Sequence, residues 1–275
     1  MSKDKLDQYA VMGNPVEHSL SPAIHSEFSQ QTGERLQYQA VLVPEDQFPA
    51  AVEKFFESGG KGLNVTVPFK EQAFALAEIK DQRAIDAGAA NTLWLDSEQR
   101  LNASTTDGLG LLQDLTVNQQ LVLAGKNILV LGAGGAVRGV LKELLARNPK
   151  QLVISNRTSE KAALLAQQFS SFGNITPASY SQIPDIGFGL VINGTSASLH
   201  GKVPAIDGAL LAGSFCYDMM YGQNARLFLD WAIENGATQA VDGMGMLVEQ
   251  AAESFAIWRK VRPLTQDTIY CLRQC

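Results

Sequence analysis

The sequence predicts an α/β fold in two domains, and three observations carry that expectation. Residues 127–158 read as strand, turn, helix and strand: Ile128-Leu129-Val130-Leu131, then Gly132-Ala133-Gly134-Gly135-Ala136, then Val137, Val140, Leu141, Leu144 and Leu145 at helical spacing, then Leu152-Val153-Ile154. Further apolar runs ending in polar or small residues recur at 189–193, 214–218 and 239–241, as later strands of one sheet would. A chain of 275 residues with 45% hydrophobic content is long for one core and comfortable for two.

The glycine turn gives the second domain its character. A buried strand that breaks at glycines and restarts as a helix leaves backbone N–H groups and the positive helix end free for a diphosphate. Gly-x-Gly patterns also recur in ordinary turns, but here the chain returns to a second apolar strand within about thirty residues, as a βαβ unit requires. Val137 stands where the usual fingerprint has its third Gly or Ala, so the register is the compact Gly-Ala-Gly-Gly-Ala variant. Residues 107–241 are therefore expected to form a Rossmann-like dinucleotide domain.

The end of the second strand selects the nucleotide. An NAD site needs a carboxylate there for the ribose 2′-OH, whereas this chain has Asn156, Arg157 and Thr158, with Lys161 one turn later. A guanidinium and an ammonium with no acid read among them favour a 2′-phosphate, so the expected cofactor is NADP. The bland alternative is that Arg157 and Lys161 are solvated helix-start residues.

Composition excludes several classes. The three cysteines, Cys216, Cys271 and Cys275, are odd in number and lack metal-ligand spacing, so no disulfide framework or metal site is expected and a reducing cytoplasm fits. The first seven residues are charged, and no apolar run reaches the roughly 18 residues of a membrane span, so a soluble, unexported protein is expected. A formal net charge of -6 without a basic block argues against nucleic acid or anionic membrane as partner.

The N-terminal stretch supplies the remaining polar candidates. Residues 9–13 read as a short buried strand, and Ser21 before Pro22 reads as an N-cap opening a helix over 22–32, with Ile24 and Phe28 on one face. Ser19 and Ser21 are either loop and cap residues or a pair of hydroxyls aimed at a polar ligand. A second strand is expected over 38–43, a helix from Phe48 to the Gly59-Gly60 stop, and a strand from Gly62 through Thr66 that Pro68 turns. Lys70 then falls in the first turn of a helix, the unfavourable end of the dipole for a cation. That makes it either a solvated surface lysine or one suited to proton transfer.

A short helix ends near Gly88, and two strands, 91–95 and 101–105, follow. Asn91 is an amide that needs a partner if buried. Asp107 opens the next helix either as a plain N-cap or as a carboxylate aimed into a cleft at the domain boundary. Beyond the later strands, Thr195, Ser196, Met219, Tyr221 and Gly243 are expected near the cofactor, because ligands of open α/β sheets lie past the carboxyl ends of strands. A lone Met such as Met219 is otherwise core. A final helix opens near 242, carries Gln250, and is expected to pack back towards the first domain.

Taken together, Ser19-Leu20-Ser21-Pro22, the run 64–70, Gly88-Ala89-Ala90-Asn91-Thr92, Thr106-Asp107-Gly108, the glycine turn, Asn156-Arg157-Thr158 and residues 243–250 resemble the ordered motif set of the shikimate/quinate dehydrogenase family, across nearly the whole chain. The resemblance implies that Ser19, Ser21, Thr66, Lys70, Asn91, Asp107, Tyr221 and Gln250 hold the substrate, with Lys70 and Asp107 the catalytic pair. It implies that Gly132, Ala133, Gly134, Gly135, Ala136, Asn156, Arg157, Thr158, Lys161, Thr195, Met219 and Gly243 hold NADP. The implied reaction is reversible NADPH-linked reduction of 3-dehydroshikimate to shikimate, on the route to chorismate and the aromatic amino acids, by a monomer or homodimer. The expected domains are residues 1–106 for substrate, 107–241 for NADP, and 242–275 as the returning helical segment, with chemistry in the cleft between the lobes. A quinate or dual-specificity dehydrogenase and a non-catalytic shikimate-sensing domain are the rival readings.

Overall fold

In the computed structural model, which describes residues 6–274, the chain divides into two units. One comprises residues up to Gly110 together with those from Val248 onward, the other Leu111–Leu247. Each has its own six-stranded sheet and core. The division falls inside two helices, a few residues after each of the boundaries read from sequence at 106 and 241.

The first unit runs β1 (Asp7–Gly13), α1 (Ser21–Thr32), β2 (Leu36–Leu42), α2 (Phe48–Glu57), β3 (Gly62–Val65), α3 (Lys70–Leu76), β4 (Ile79–Lys80), α4 (Gln82–Ala87), β5 (Thr92–Leu95), β6 (Leu101–Ser104) and the start of α5 (Asp107–Gln113). The sheet order is β2-β1-β3-β5-β6-β4; β1 is parallel to β2 and β3, whereas β5 is antiparallel to β3 and to β6. Phe48 of α2 stacks on Phe69 at 4.6 Å, both fully buried, which fixes the chain entering α3 against the core. This topology decides where the polar candidates go. The carboxyl ends of β1, β3 and β6 and the start of the reversed β5 share one sheet edge, so the segments carrying Ser19, Thr66, Asp107 and Asn91 all leave from it.

The second unit runs β7 (Asn127–Leu131), α6 (Gly135–Leu145), β8 (Gln151–Ser155), α7 (Ser159–Phe169), β9 (Ile175–Ala178), β10 (Leu190–Asn193), β11 (Phe215–Asp218), α8 (Gln223–Glu234) and β12 (Gln239–Val241). Its all-parallel order is β12-β11-β10-β7-β8-β9. Counted from the first strand, that is the doubly wound 3-2-1-4-5-6 arrangement, with the order reversing between β7 and β10. The chain then enters α9 (Met244–Arg259), which carries it back to the first unit, and ends in α10 (Gln266–Gln274).

Sequence patterning passed over β4, β9, α8 and α10. β4 has only two residues, and β9 carries Pro177, which an edge strand tolerates. Ser21 is not the cap of α1: it is the first helical residue, Leu20 holds the cap position, and the Ser19 hydroxyl accepts the Ser21 N–H at 3.3 Å. Among the described residues no helix is long and apolar enough to cross a membrane, and no group of His, Cys, Asp and Glu is arranged to hold a metal.

Candidate active site

Lys70 and Asp107 meet in the first unit. Lys70 opens α3, Asp107 opens α5, and Nζ lies 2.6 Å from Oδ2 with both side chains largely buried. The carboxylate, then, is no helix cap; its second oxygen accepts the Asn91 amide at 2.9 Å. Asn91 also donates towards Thr106 Oγ1 and Gln250 Oε1, at 3.0 and 3.2 Å, and its own oxygen accepts the Thr106 N–H and the Thr92 hydroxyl. A buried charge with a direct counterion and a fixed amide behind it is held in one orientation.

A polar floor lies under this cluster. Asn64 donates to the Asn91 carbonyl at 3.0 Å and to Ser254 Oγ at 3.0 Å, and accepts the Tyr38 hydroxyl at 2.7 Å. Ser254, on the turn of α9 after Gln250, also meets Thr92 Oγ1 at 2.8 Å and Thr106 Oγ1 at 3.2 Å. Burial raises the Tyr38 phenol, opposed by a hydrogen bond with Ser21, so the chain Ser21, Tyr38, Asn64, Asn91 links the serine segment to the Lys70 cluster. Ser21 is buried, and Ser19 and Thr66 are half-buried. Tyr221 belongs to the second unit.

The nucleotide candidates line the carboxyl ends of the second sheet. Gly132 has φ +108°, and a side-chain carbon there would lie 2.8 Å from the Gly194 carbonyl oxygen, so the position is closed to other residues. At Gly134 and Gly135 an added carbon meets nothing within 4 Å, so packing does not demand glycine there. The first turn of α6 carries no acid and its cap no side-chain hydrogen bond, leaving N–H groups for an anion. Arg157, Thr158 and Lys161 are exposed, and the Asn156 amide closes the turn on Thr158 O at 3.0 Å. Glu160 stands in the first turn of α7, an acid among the basic residues that the sequence reading omitted. A recess of about 570 Å³ opens beside Arg157, lined by Tyr180, Ile183 and serines 179 and 181 among others. Open glycines, a free helix start and a cationic strand end fit NADP.

Thr195 and Met219 follow β10 and β11, and an added carbon at Gly194 would lie 3.0 Å from Met219 Sδ and 2.4 Å from Val137 Cγ2. Gly243 is closed by the Met219 carbonyl at 2.6 Å. The sequence reading missed Asn64, Thr106, Ser254, Asn193 and Asp218 as site-supporting groups. The available signal was a polar residue on an otherwise buried strand or helix face, as at Asn64 within β3 and Ser254 four residues after Gln250.

These features define a two-unit α/β protein with a dinucleotide fold on one unit and a buried lysine–aspartate pair on the other, the equipment of a pyridine-nucleotide oxidoreductase. The family model for the shikimate dehydrogenase substrate binding domain matches residues 11–93, that for shikimate / quinate 5-dehydrogenase residues 115–198, and that for the shikimate 5′-dehydrogenase C-terminal domain residues 243–268. Shikimate dehydrogenase (NADP(+)) of Alkalilimnicola ehrlichii is 52% identical over 97% of this chain and 98% of its own, and that of Marinobacter nauticus is 52% identical over the same shares. Among solved structures, an Ael1 enzyme from Pseudomonas putida superposes with TM-score 0.90 at 42% identity, covering 97% of this chain and 98% of its own. A Thermus thermophilus shikimate 5-dehydrogenase in complex with NADP(H) and shikimate has TM-score 0.83 at 28% identity, over 98% of this chain and 99% of its own. The chain belongs to the shikimate dehydrogenase family.

Proposed function

We propose that this chain is an NADP-dependent shikimate dehydrogenase that reversibly reduces 3-dehydroshikimate to shikimate, a step towards chorismate and the aromatic amino acids. The relatives named for that NADP-linked activity, at 52% identity over nearly full length, support both substrate and cofactor. In this reading the first unit is the substrate domain and the second the NADP domain, and the enzyme works in the cytoplasm as a monomer or homodimer.

The observation that carries the mechanism is the 2.6 Å Lys70–Asp107 pair with Asn91 fixed behind it. NADPH, when bound, supplies a hydride to the ketone carbon, which leaves negative charge on the ketone oxygen. Lys70 gives its Nζ proton to that oxygen and takes it back in the oxidation direction. Asp107 keeps the ammonium aimed and compensates its charge while it is loaded. Ser19, Ser21, Thr66, Asn91, Tyr221 and Gln250 hold the carboxylate and ring hydroxyls. Gly132 to Ala136 take the diphosphate; Asn156, Arg157, Thr158 and Lys161 take the 2′-phosphate; Thr195, Met219 and Gly243 take the nicotinamide end.

The test is NADPH oxidation with 3-dehydroshikimate and, in parallel, with dehydroquinate. Turnover of the first alone is expected, and Lys70→Ala should lower kcat by about 10²–10⁴-fold with KM for substrate little changed. Comparable turnover of dehydroquinate makes the enzyme dual-specific. Shikimate binding without turnover of either ketone makes it a sensor, and near wild-type kcat in the variant removes Lys70 from the chemistry.

A further inference from the structure

Asn193 and Asp218 end neighbouring strands as direct register partners, and both are fully buried. The Asn193 amide donates to Asp218 Oδ2 at 3.0 Å. The other two oxygens of the pair are spent on loops. Asn193 Oδ1 accepts the Thr195 N–H at 3.1 Å and the Thr195 hydroxyl at 2.7 Å, and Asp218 Oδ1 accepts the Met220 N–H at 2.9 Å. One side-chain pair thus fastens the loop after β10 and the loop after β11 at their second residues, Thr195 and Met220. Gly194, the first residue of the loop after β10, has no room for a side chain, since an added carbon would meet Val137 Cγ2 and Met219 Sδ.

A carboxyl buried at a sheet end is costly unless its oxygens find donors. Burial lifts the Asp218 carboxyl to about 7 against the pull of the Met220 N–H and the Asn193 amide, with Asp242 adding to the rise, so retaining the acid carries a penalty. What the pair achieves is the placement of Thr195, held by two hydrogen bonds, and of Met220, held by one, with Met219 fixed between Asp218 and Met220 and its own N–H on the Asn193 carbonyl at 2.9 Å. In a doubly wound sheet the two mononucleotide halves divide the dinucleotide between them. With the 2′-phosphate candidates at the end of β8, the nicotinamide half falls on the side of β10 and β11.

We propose that Asn193 and Asp218 are a positioning pair that sets Thr195 and Met219 for the nicotinamide end of NADP, an inference that rests on the NADP-dependent function above. Asp218→Asn tests it without changing volume. An amide there must point its NH₂ either at the Met220 N–H or at the Asn193 NH₂, donor against donor. Asn193 relieves the second clash only by turning over, which takes its oxygen from Thr195. The reciprocal exchange, Asn193→Asp with Asp218→Asn, restores a donor facing an acceptor at each contact.

Calorimetric titration of the full chain with NADP and with adenosine 2′,5′-bisphosphate, which lacks the nicotinamide half, separates the possibilities. Asp218→Asn should weaken NADP binding about fivefold or more, the worth of one or two hydrogen bonds, while the bisphosphate stays within about twofold; the double variant should recover most of the loss. NADP affinity within about twofold of wild type in Asp218→Asn overturns the proposal. So does an equal loss for both ligands, which marks a merely structural pair, or a double variant no better than the single. A wild-type protein that binds neither ligand instead overturns the NADP reading beneath it.

Discussion

Replacing His25 with Phe should abolish about 2–3 kcal/mol of the stability that the protein loses between pH 6 and pH 4. His25 is fully buried on α1, stacked on Tyr38 at 4.1 Å with an interplanar angle of 6° and flanked by Phe28, Phe255 and Trp258. Neither ring nitrogen makes a hydrogen bond of ordinary geometry. Burial lowers the imidazole from 6.5 to about 3, and Asn64 nearby opposes this only in part. A group with a depressed folded value keeps its contribution above 6.5 and loses it as pH falls towards 3, because the unfolded chain takes the proton first. One proton is worth about 1.4 kcal/mol per pH unit inside that window, and rounding at its upper edge gives the figure above.

Asp218 runs the other way over the same range: its carboxyl rises from 3.8 to about 7, so its contribution is present below 3.8 and lost as pH rises through 7. The wild-type curve therefore does not isolate His25, but the difference between wild type and His25→Phe does. Urea unfolding at a series of pH values should show the two proteins within about 1 kcal/mol near pH 8, since apolar carbons replace two unpartnered nitrogens. They should diverge in favour of the variant below pH 6. A difference that stays constant from pH 8 to pH 4 would refute a buried neutral imidazole.

The remaining expectations are shorter. Arg157→Asp should reverse the ratio of kcat/KM for NADP over NAD, with about a 10–100-fold loss for NADP, the worth of one charge-assisted contact; an unchanged ratio sinks the 2′-phosphate assignment. Tyr217→Phe removes the hydroxyl that donates to fully buried Asp114 at 2.6 Å, and denaturant unfolding should show a loss of about 1.5–3 kcal/mol. Ser254→Ala leaves Asn64, Thr92 and Thr106 short of a shared partner and should cost about 1–3 kcal/mol; a loss under about 0.5 kcal/mol would mean that the polar floor re-pairs without it.

Apart from the edge strand β9, the sheet of the second unit was legible because its strands follow apolar runs and the glycine turn fixes the first crossover. The pairing of Lys70 with Asp107 was not readable from either segment. Thirty-seven positions separate them, and local helix chemistry leaves each open, Lys70 as a solvated lysine or a proton-transfer group and Asp107 as a cap or a cleft carboxylate, without pairing the two. Topology decides the matter, because β3 and β6 end on the same sheet edge and a reversed β5 lies between them. The serines show the opposite failure. Propensity made Ser21 a cap, yet it is a buried helical residue tied to Tyr38, with Leu20 at the cap position and the Ser19 hydroxyl accepting the Ser21 N–H. Glu160 is the first-turn acid that the N-terminus of α7 favours, and it stands beside the cationic positions for that reason.

Three asparagines show why the supporting residues have the types they do. Asn64, Asn91 and Asn193 are each buried, and each turns its oxygen to donors and its NH₂ to acceptors: Tyr38 against the Asn91 carbonyl, the Thr106 N–H against Asp107, and Thr195 against Asp218. A short planar amide offers both functions at fixed angles without a charge, so it passes orientation from one group to the next without adding a second buried ion. Asp in the same place would set carboxylate against carboxylate at Asn91 and Asn193; Leu would make none of these contacts, at about 1–3 kcal/mol for each buried group left without another partner. The charge in each unit's polar cluster is thereby confined to the Lys70–Asp107 pair and to Asp218, and neutral amides do the aiming.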